Sequence, residues 1–148
     1  SERLWRIRRN IAEAFAIKSK YQCNEDLVVP IAQIPRLVAE MNRLAEKHGV
    51  FIPSYGHAGD GNLHTRIAAP AGMDRADWDQ LWPVVLDELY GVVASMGGRL
   101  SGEHGIGHKR KGYMDRFVSR EYLQLCRSLK RAWDPNNILN PGKIFDMD

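Results

Sequence analysis

Nine residues in mid-chain, Gly56-His57-Ala58-Gly59-Asp60-Gly61-Asn62-Leu63-His64, constrain the fold more than any other stretch. Asp-Gly is a strong signal for a two-residue hairpin turn, because such turns need the positive φ that glycine and aspartate tolerate. The flanks, Val50 to Tyr55 and Asn62 to Ala69, read as strands. A hairpin centred on Asp60-Gly61 sets Gly59 against Asn62, Ala58 against Leu63 and His57 against His64. Directly opposed residues share a face, with Cβ atoms about 4.5–5.5 Å apart. Two imidazoles so placed reach one metal ion, each at roughly 2.0–2.1 Å. A polar hairpin tip with two solvated histidines would carry the same residues.

The elements around this hairpin define the fold class. Leu4, Ile7, Ile11, Ala14 and Phe15 recur at helical spacing, giving a first amphipathic helix that ends near Ala16. A polar stretch, Lys18 to Asn24, precedes a short buried strand at Leu27-Val28-Val29, closed by Pro30. Pro35 suits the first turn of a second helix, and Gly49 suits its stop. A third helix is capped by Asp74 or Asp77, lined by Leu81, Val85, Leu89, Val92 and Met96, and bent or begun at Pro83. A fourth, short strand follows at Arg99 to Ser101. Ser119 caps a last helix whose inner face is Tyr122, Cys126, Leu129 and Trp133. From the first strand onward the order is strand, helix, strand, strand, helix, strand. That is the order of a ferredoxin-like split βαβ unit, an α+β antiparallel sheet with flanking helices. In that arrangement the start of strand one, the end of two, the start of three and the end of four are expected along one sheet edge. The tryptophans Trp5, Trp78, Trp82 and Trp133 are expected in the core.

Glycine and histidine are concentrated in two places. Of 13 glycines, three fall in 56–61 and five in 97–107. Four of the five histidines, His57, His64, His104 and His108, lie in or beside those stretches. Glycine costs chain entropy and is used where the backbone needs positive φ or close approach. The second stretch, Ser101-Gly102-Glu103-His104-Gly105-Ile106-Gly107-His108, follows the fourth strand. Glu103 offers a third, anionic ligand, with His104 left unligated as a base beside the metal. Three protein ligands keep a position open for substrate. A glycine-rich turn with a surface acid and histidine is the plain alternative. The run His108-Lys109-Arg110-Lys111 is expected to be a solvated loop, or else to attract an anion. His48, near a helix end, is expected to complement the helix dipole.

Composition narrows the remaining classes. With 148 residues, 44% hydrophobic and 26% charged, the chain suits one globular domain and not a disordered tail. No apolar run is long enough to span a membrane. The excess of 21 Lys and Arg over 18 Asp and Glu is mild and scattered, which argues against nucleic acid. Cys23 and Cys126 lack CxxC spacing and are expected as buried, reduced thiols. Opening on Ser1 with a helical pattern already running by Leu4, the chain is expected to be a fragment or cleaved product.

These motifs, with Asp134-Pro135-Asn136-Asn137-Ile138-Leu139-Asn140-Pro141-Gly142-Lys143, resemble the C-terminal domain of FAD-linked oxidases. That group includes D-lactate dehydrogenases, glycolate oxidase flavin subunits and D-2-hydroxyglutarate dehydrogenases of the vanillyl-alcohol oxidase superfamily. The resemblance covers nearly the whole chain. It implies a fragment of a larger flavoprotein: 1–133 as the C-terminal part of the substrate (cap) domain, and 134–148 as a tail returning to an FAD-binding domain. The implied activity is FAD-dependent oxidation of a 2-hydroxy acid to a 2-oxo acid. A flavin-free metal-dependent hydrolase is the alternative.

The resemblance also implies roles. His57, His64 and Glu103 match ligands of zinc or manganese, and His104 matches the base. Arg8 matches an arginine that binds the substrate carboxylate, and Asn140 a position that returns towards the flavin. The hydroxyglutarate branch has Thr, Lys and Asn where this chain has Ala12, Asn24 and Arg66, which favours a smaller acid such as lactate or glycolate. Further implications are electron transfer to a quinone, a flavoprotein or an iron–sulfur partner, and a cytoplasmic location, at most peripheral at the inner membrane.

Overall fold

A computed structural model describes residues 2, 5, 6, 9–11 and 19–147. The described positions among the first eleven are helical. The rest of the expected first helix, Arg8 and Ala12 included, lies outside the described residues.

Three strands form the sheet: β1 (Gln22–Val28), β2 (Ser54–His57) and β3 (Asn62–Ala68), in the order β1-β3-β2, all antiparallel. Helix α1 (Ile34–His48) joins β1 to β2, and α2 (Arg75–Ser95) follows β3. The α+β class and the antiparallel sheet with flanking helices are as expected from sequence. The expected fourth strand shrinks to one bridge, Arg99 against Val28 on the free side of β1. β1 itself starts earlier than its apolar residues suggest, within the polar stretch and through two consecutive acids, Glu25 and Asp26.

Strand alternation divides the sheet into two faces. Leu27 of β1 and Leu63, Thr65 and Ile67 of β3 are buried on one. The Thr65 hydroxyl lies 3.7 Å from Met41 Sδ on α1, so this face meets the helices. Leu37, Met41 and Leu44 of α1 and Val85, Leu86, Leu89, Tyr90 and Val93 of α2 complete the core. The other face carries Asn24 and Asp26 on β1, Asn62, His64 and Arg66 on β3, and Tyr55 and His57 on β2. The chemistry-bearing residues of the hairpin gather there.

Local signals in the sequence set the helix ends. Gly49 closes α1 at φ 64°, a left-handed conformation that glycine adopts without strain. Asp74 caps α2 by accepting from the Asp77 N–H at 2.9 Å, and the helix runs through Pro83. Ser119 caps α3 (Arg120–Trp133) by accepting from the Tyr122 N–H.

The expected core role of α3 is not what the structure shows. The helix has no buried residue, and Tyr122, Leu129 and Trp133 are 52%, 54% and 85% exposed. Its amphipathic stripe is present, but most of it is exposed, and Leu123 alone packs against the core among the described residues of the helix. Trp78 is buried and Trp82 half-buried, whereas Trp5 and Trp133 are exposed, so the tryptophans split between core and surface. Cys23 is a buried free thiol whose pKa burial pushes up to about 11, and Cys126 is free and half-buried. Among the described residues, no helix is long and apolar enough to cross a membrane.

Candidate metal centre

The hairpin differs from the two-residue turn its sequence suggests. β2 stops at His57, and Ala58 to Gly61 form a four-residue turn closed by Asp60 and Gly61 N–H groups donating to the His57 carbonyl. Gly61 has φ 84°, and a Cβ there would fall 2.0 Å from the Val29 carbonyl oxygen, so only glycine fits. The register consequently shifts by two residues. His57 opposes Asn62, and His64 opposes Tyr55. His57 and His64 become diagonal neighbours on one face, still within side-chain reach, with ring centroids 5.6 Å apart in an edge-on arrangement.

The strand ends also meet differently. Val28 pairs with Asn62, so the end of β1, the end of β2 and the start of β3 share the edge, and the bridging Arg99 begins the fourth strand there. A full-length fourth strand would carry its loop to the far edge. This one pairs only once, so the chain turns off beside Asp26 and folds back over the open face.

Asp26 directs that turn. It has no solvent exposure, and its Oδ2 accepts from the Ser101 hydroxyl at 2.6 Å and from the N–H groups of Gly102, Glu103 and His104 at 3.0, 2.8 and 2.7 Å. Its Oδ1 accepts from Asn62 Nδ2 at 2.7 Å. Burial alone would raise this carboxyl's pKa. The His104 N–H, the Ser101 hydroxyl, the Asn62 amide and the Glu103 N–H outweigh it and hold the pKa well below the usual carboxylate range. A Cβ on Gly102 would lie 1.6 Å from Asn62 Nδ2, so a side chain there has to push the amide away from Asp26.

On the other side of β1, buried Glu25 anchors the end of the same loop. Arg110 Nε donates to Glu25 at 3.0 Å and Arg110 Nη1 to the Gly105 carbonyl at 2.9 Å, and Lys109 and the Tyr90 hydroxyl also bond Glu25. The basic run is therefore only partly solvated. Arg110 is buried and Lys111 pairs with Asp146, while His108 is exposed.

The loop delivers Glu103 to the two histidines. Glu103 Oε1 is 3.1 Å from His57 Nε2, and Oε2 is 3.9 Å from His64 Nε2. One donor atom from each of the three residues lies within 4.8 Å of the others. Tetrahedral bonds of about 2.0–2.1 Å put donors roughly 3.3–3.5 Å apart, inside the span seen here. Burial lowers the His64 pKa against the opposing pull of Glu103 and Asp26, which favours the neutral, ligating imidazole. Two imidazoles and a carboxylate thus fit a divalent cation. Asp26, His64 and His104 also converge within 4.8 Å, but the Asp26 oxygens are already engaged by hydrogen-bond donors that a cation would have to displace. The Asn62 Oδ1 is buried with no hydrogen-bond partner among the described residues.

The remaining expected residues are placed unequally. The His104 ring stacks on His64, with centroids 5.2 Å and planes 14° apart, beside the cluster and exposed. Asn140 is exposed in the tail at φ 49°, and the tail is tied back to the loop by the Ile144 N–H donating to the Gly107 carbonyl at 2.7 Å. Arg8 lies outside the described residues. His48 contacts Glu88 at 3.2 Å, at the end of α1 and away from the cluster. The sequence reading missed Asp26, Asn62, Glu25 and Arg110. For the acids the sequence holds no direct signal, because Glu25 and Asp26 precede the apolar residues that mark the strand.

Residues 1–144 match the family described as FAD linked oxidases, C-terminal domain. The glycolate oxidase subunit GlcD of Bacillus subtilis is 35% identical over 95% of this chain and 30% of its own length. The D-2-hydroxyglutarate dehydrogenase of Stutzerimonas stutzeri is 31% identical over 97% of the chain and 31% of its own length. The D-lactate dehydrogenase of Anaerostipes hadrus is 33% identical over 95% and 29%. The chain thus spans about a third of the length of these curated relatives, and it belongs to the family of FAD-linked oxidase C-terminal domains.

Proposed function

We propose that this chain forms the substrate side of an FAD-dependent 2-hydroxy acid dehydrogenase or oxidase of the D-lactate or glycolate type. The observation that carries the reading is the meeting of His57, His64 and Glu103 on the open sheet face, with His104 stacked beside them. In this reading a divalent cation, zinc or manganese, supplies Lewis-acid polarisation of the α-hydroxyl, and FAD held by the rest of the protein supplies the hydride acceptor. His57, His64 and Glu103 hold the cation. His104, unligated and exposed, takes the hydroxyl proton at a ring nitrogen. Arg8 binds the substrate carboxylate through its planar fork.

Residues 1–133 are proposed as the C-terminal part of the cap domain. The tail, 134–148, runs towards the FAD-binding part with Asn140 facing the flavin. The exposed stripe of α3 suits coverage by that part. Electrons leave the flavin for a partner, an iron–sulfur or electron-transfer flavoprotein.

The test uses the full-length protein, loaded with FAD and metal, on a panel of D- and L-2-hydroxy acids. His104→Ala should abolish flavin reduction and keep the metal, while His57→Ala should lose the metal. Normal flavin reduction by His104→Ala removes the base assignment. Full activity after chelation removes the cation from catalysis.

A further inference from the structure

His64 is the least exposed of the three residues in the cluster. Its side chain is 13% exposed, against 41% for His57 and 47% for Glu103. Its ring nitrogens stand beyond hydrogen-bond range of the two carboxylates beside them: Nδ1 is 3.9 Å from Asp26 Oδ1, and Nε2 is 3.9 Å from Glu103 Oε2. The imidazole is met by flat rings instead. Tyr55 is its cross-strand partner, on β2 and on the same open face. The Tyr55 ring centroid is 5.2 Å from that of His64 with the planes at 48°, a separation and tilt at which aromatic rings attract. The His104 ring stacks on His64 from the loop that Asp26 holds, and Asp26 opposes His64 on β1. The two rings therefore reach the imidazole from its two neighbouring strands. They differ in firmness. His104 is an exposed side chain on a loop, whereas Tyr55 is half-buried and sits in the register of a paired strand.

A histidine that ligates a cation has to present one nitrogen along one direction, so whatever fixes its ring plane in advance strengthens the bond. We infer that Tyr55 is a positioning residue: its ring holds the His64 imidazole in the plane from which it meets a cation shared with His57 and Glu103. The inference rests on the proposed reading of that cluster. It assigns the effect to the aromatic face of Tyr55 and not to its hydroxyl, because the contact is between rings.

The experiment uses the full-length, FAD-bound protein, stripped of metal by a chelator, with Tyr55→Phe, Tyr55→Met and Tyr55→Leu. Zinc ion is titrated in against a chromophoric chelator to give Kd, with His57→Ala as the blank. FAD content and the denaturant midpoint of each metal-free variant report folding separately. Tyr55→Phe keeps the flat face and should bind zinc as the parent does. Tyr55→Met and Tyr55→Leu keep apolar bulk without a flat face. They should raise Kd by about 10-fold with FAD content unchanged, the lower end of what an outer residue that orients a ligating histidine contributes. A parent-like Kd in both aliphatic variants overturns the inference. An equal loss in Tyr55→Phe also overturns it, by giving the effect to the hydroxyl. Loss of FAD and of cooperative unfolding in both aliphatic variants makes Tyr55 a structural residue and overturns it too. A parent that binds no zinc removes the reading of the cluster and this inference together. A parent that binds zinc no better than its aliphatic variants removes the inference and leaves that reading standing.

Discussion

Glu25 and Asp26 are consecutive on one strand, both are buried, and they hold the same loop by opposite means. Glu25 faces the helices and is met by cations, Arg110 and Lys109, with the Tyr90 hydroxyl. Asp26 faces the site and is met only by neutral donors, three of them backbone N–H groups. A charge paired with long side chains fixes where a segment is tethered. A charge paired with backbone N–H groups fixes the path of the backbone itself, and so the places of Glu103 and His104. In this fold, anchoring and aiming are separate tasks carried on opposite faces of one strand.

The largest effect is expected from Asp26→Ala. It strands several donors and should cost about 3 kcal/mol or more. Because Glu103 loses its place, metal stoichiometry should fall as well, read by elemental analysis of the purified full-length protein. Retention of full metal content would break the link between Asp26 and the cluster. Glu25→Gln should cost about 2 kcal/mol in denaturant unfolding, since it leaves Arg110 with a weakened partner, yet keep the metal. Equal metal loss in both variants would erase the division of tasks. Gly102→Ala is expected to cost about 1–3 kcal/mol by forcing Asn62 off Asp26. Unchanged unfolding would mean that the loop yields without effort.

The subtlest effect is in pH. The Asp26 pKa is lower folded than unfolded, so its stabilisation is complete above the unfolded value of about 3.9 and fades as pH falls below about 4. The stability gap between the parent and Asp26→Asn should therefore narrow in acid. A gap constant from pH 7 to pH 3 would contradict the assignment.

Features settled by near neighbours were legible in the chain. Gly49, Asp74 and Ser119 mark helix ends because caps act within a few residues. The pairing of His57 with His64 on one face was legible from alternation, although the direct opposition was not. A turn four residues long and one two residues long share the same Asp-Gly, and the register depends on the contact of Gly61 with Val29 across the sheet.

Element order, the α+β class and the group of side chains able to hold a cation can be read along the chain, because periodicity, caps and residue chemistry are local. Tertiary structure alone decided that the fourth strand stops after one bridge, that Asp26 captures the returning backbone, and that Lys109 and Arg110 turn inward to Glu25. Those outcomes depend on balancing buried charge between residues about 75–85 positions apart, and no short window of sequence contains both halves of such a pair.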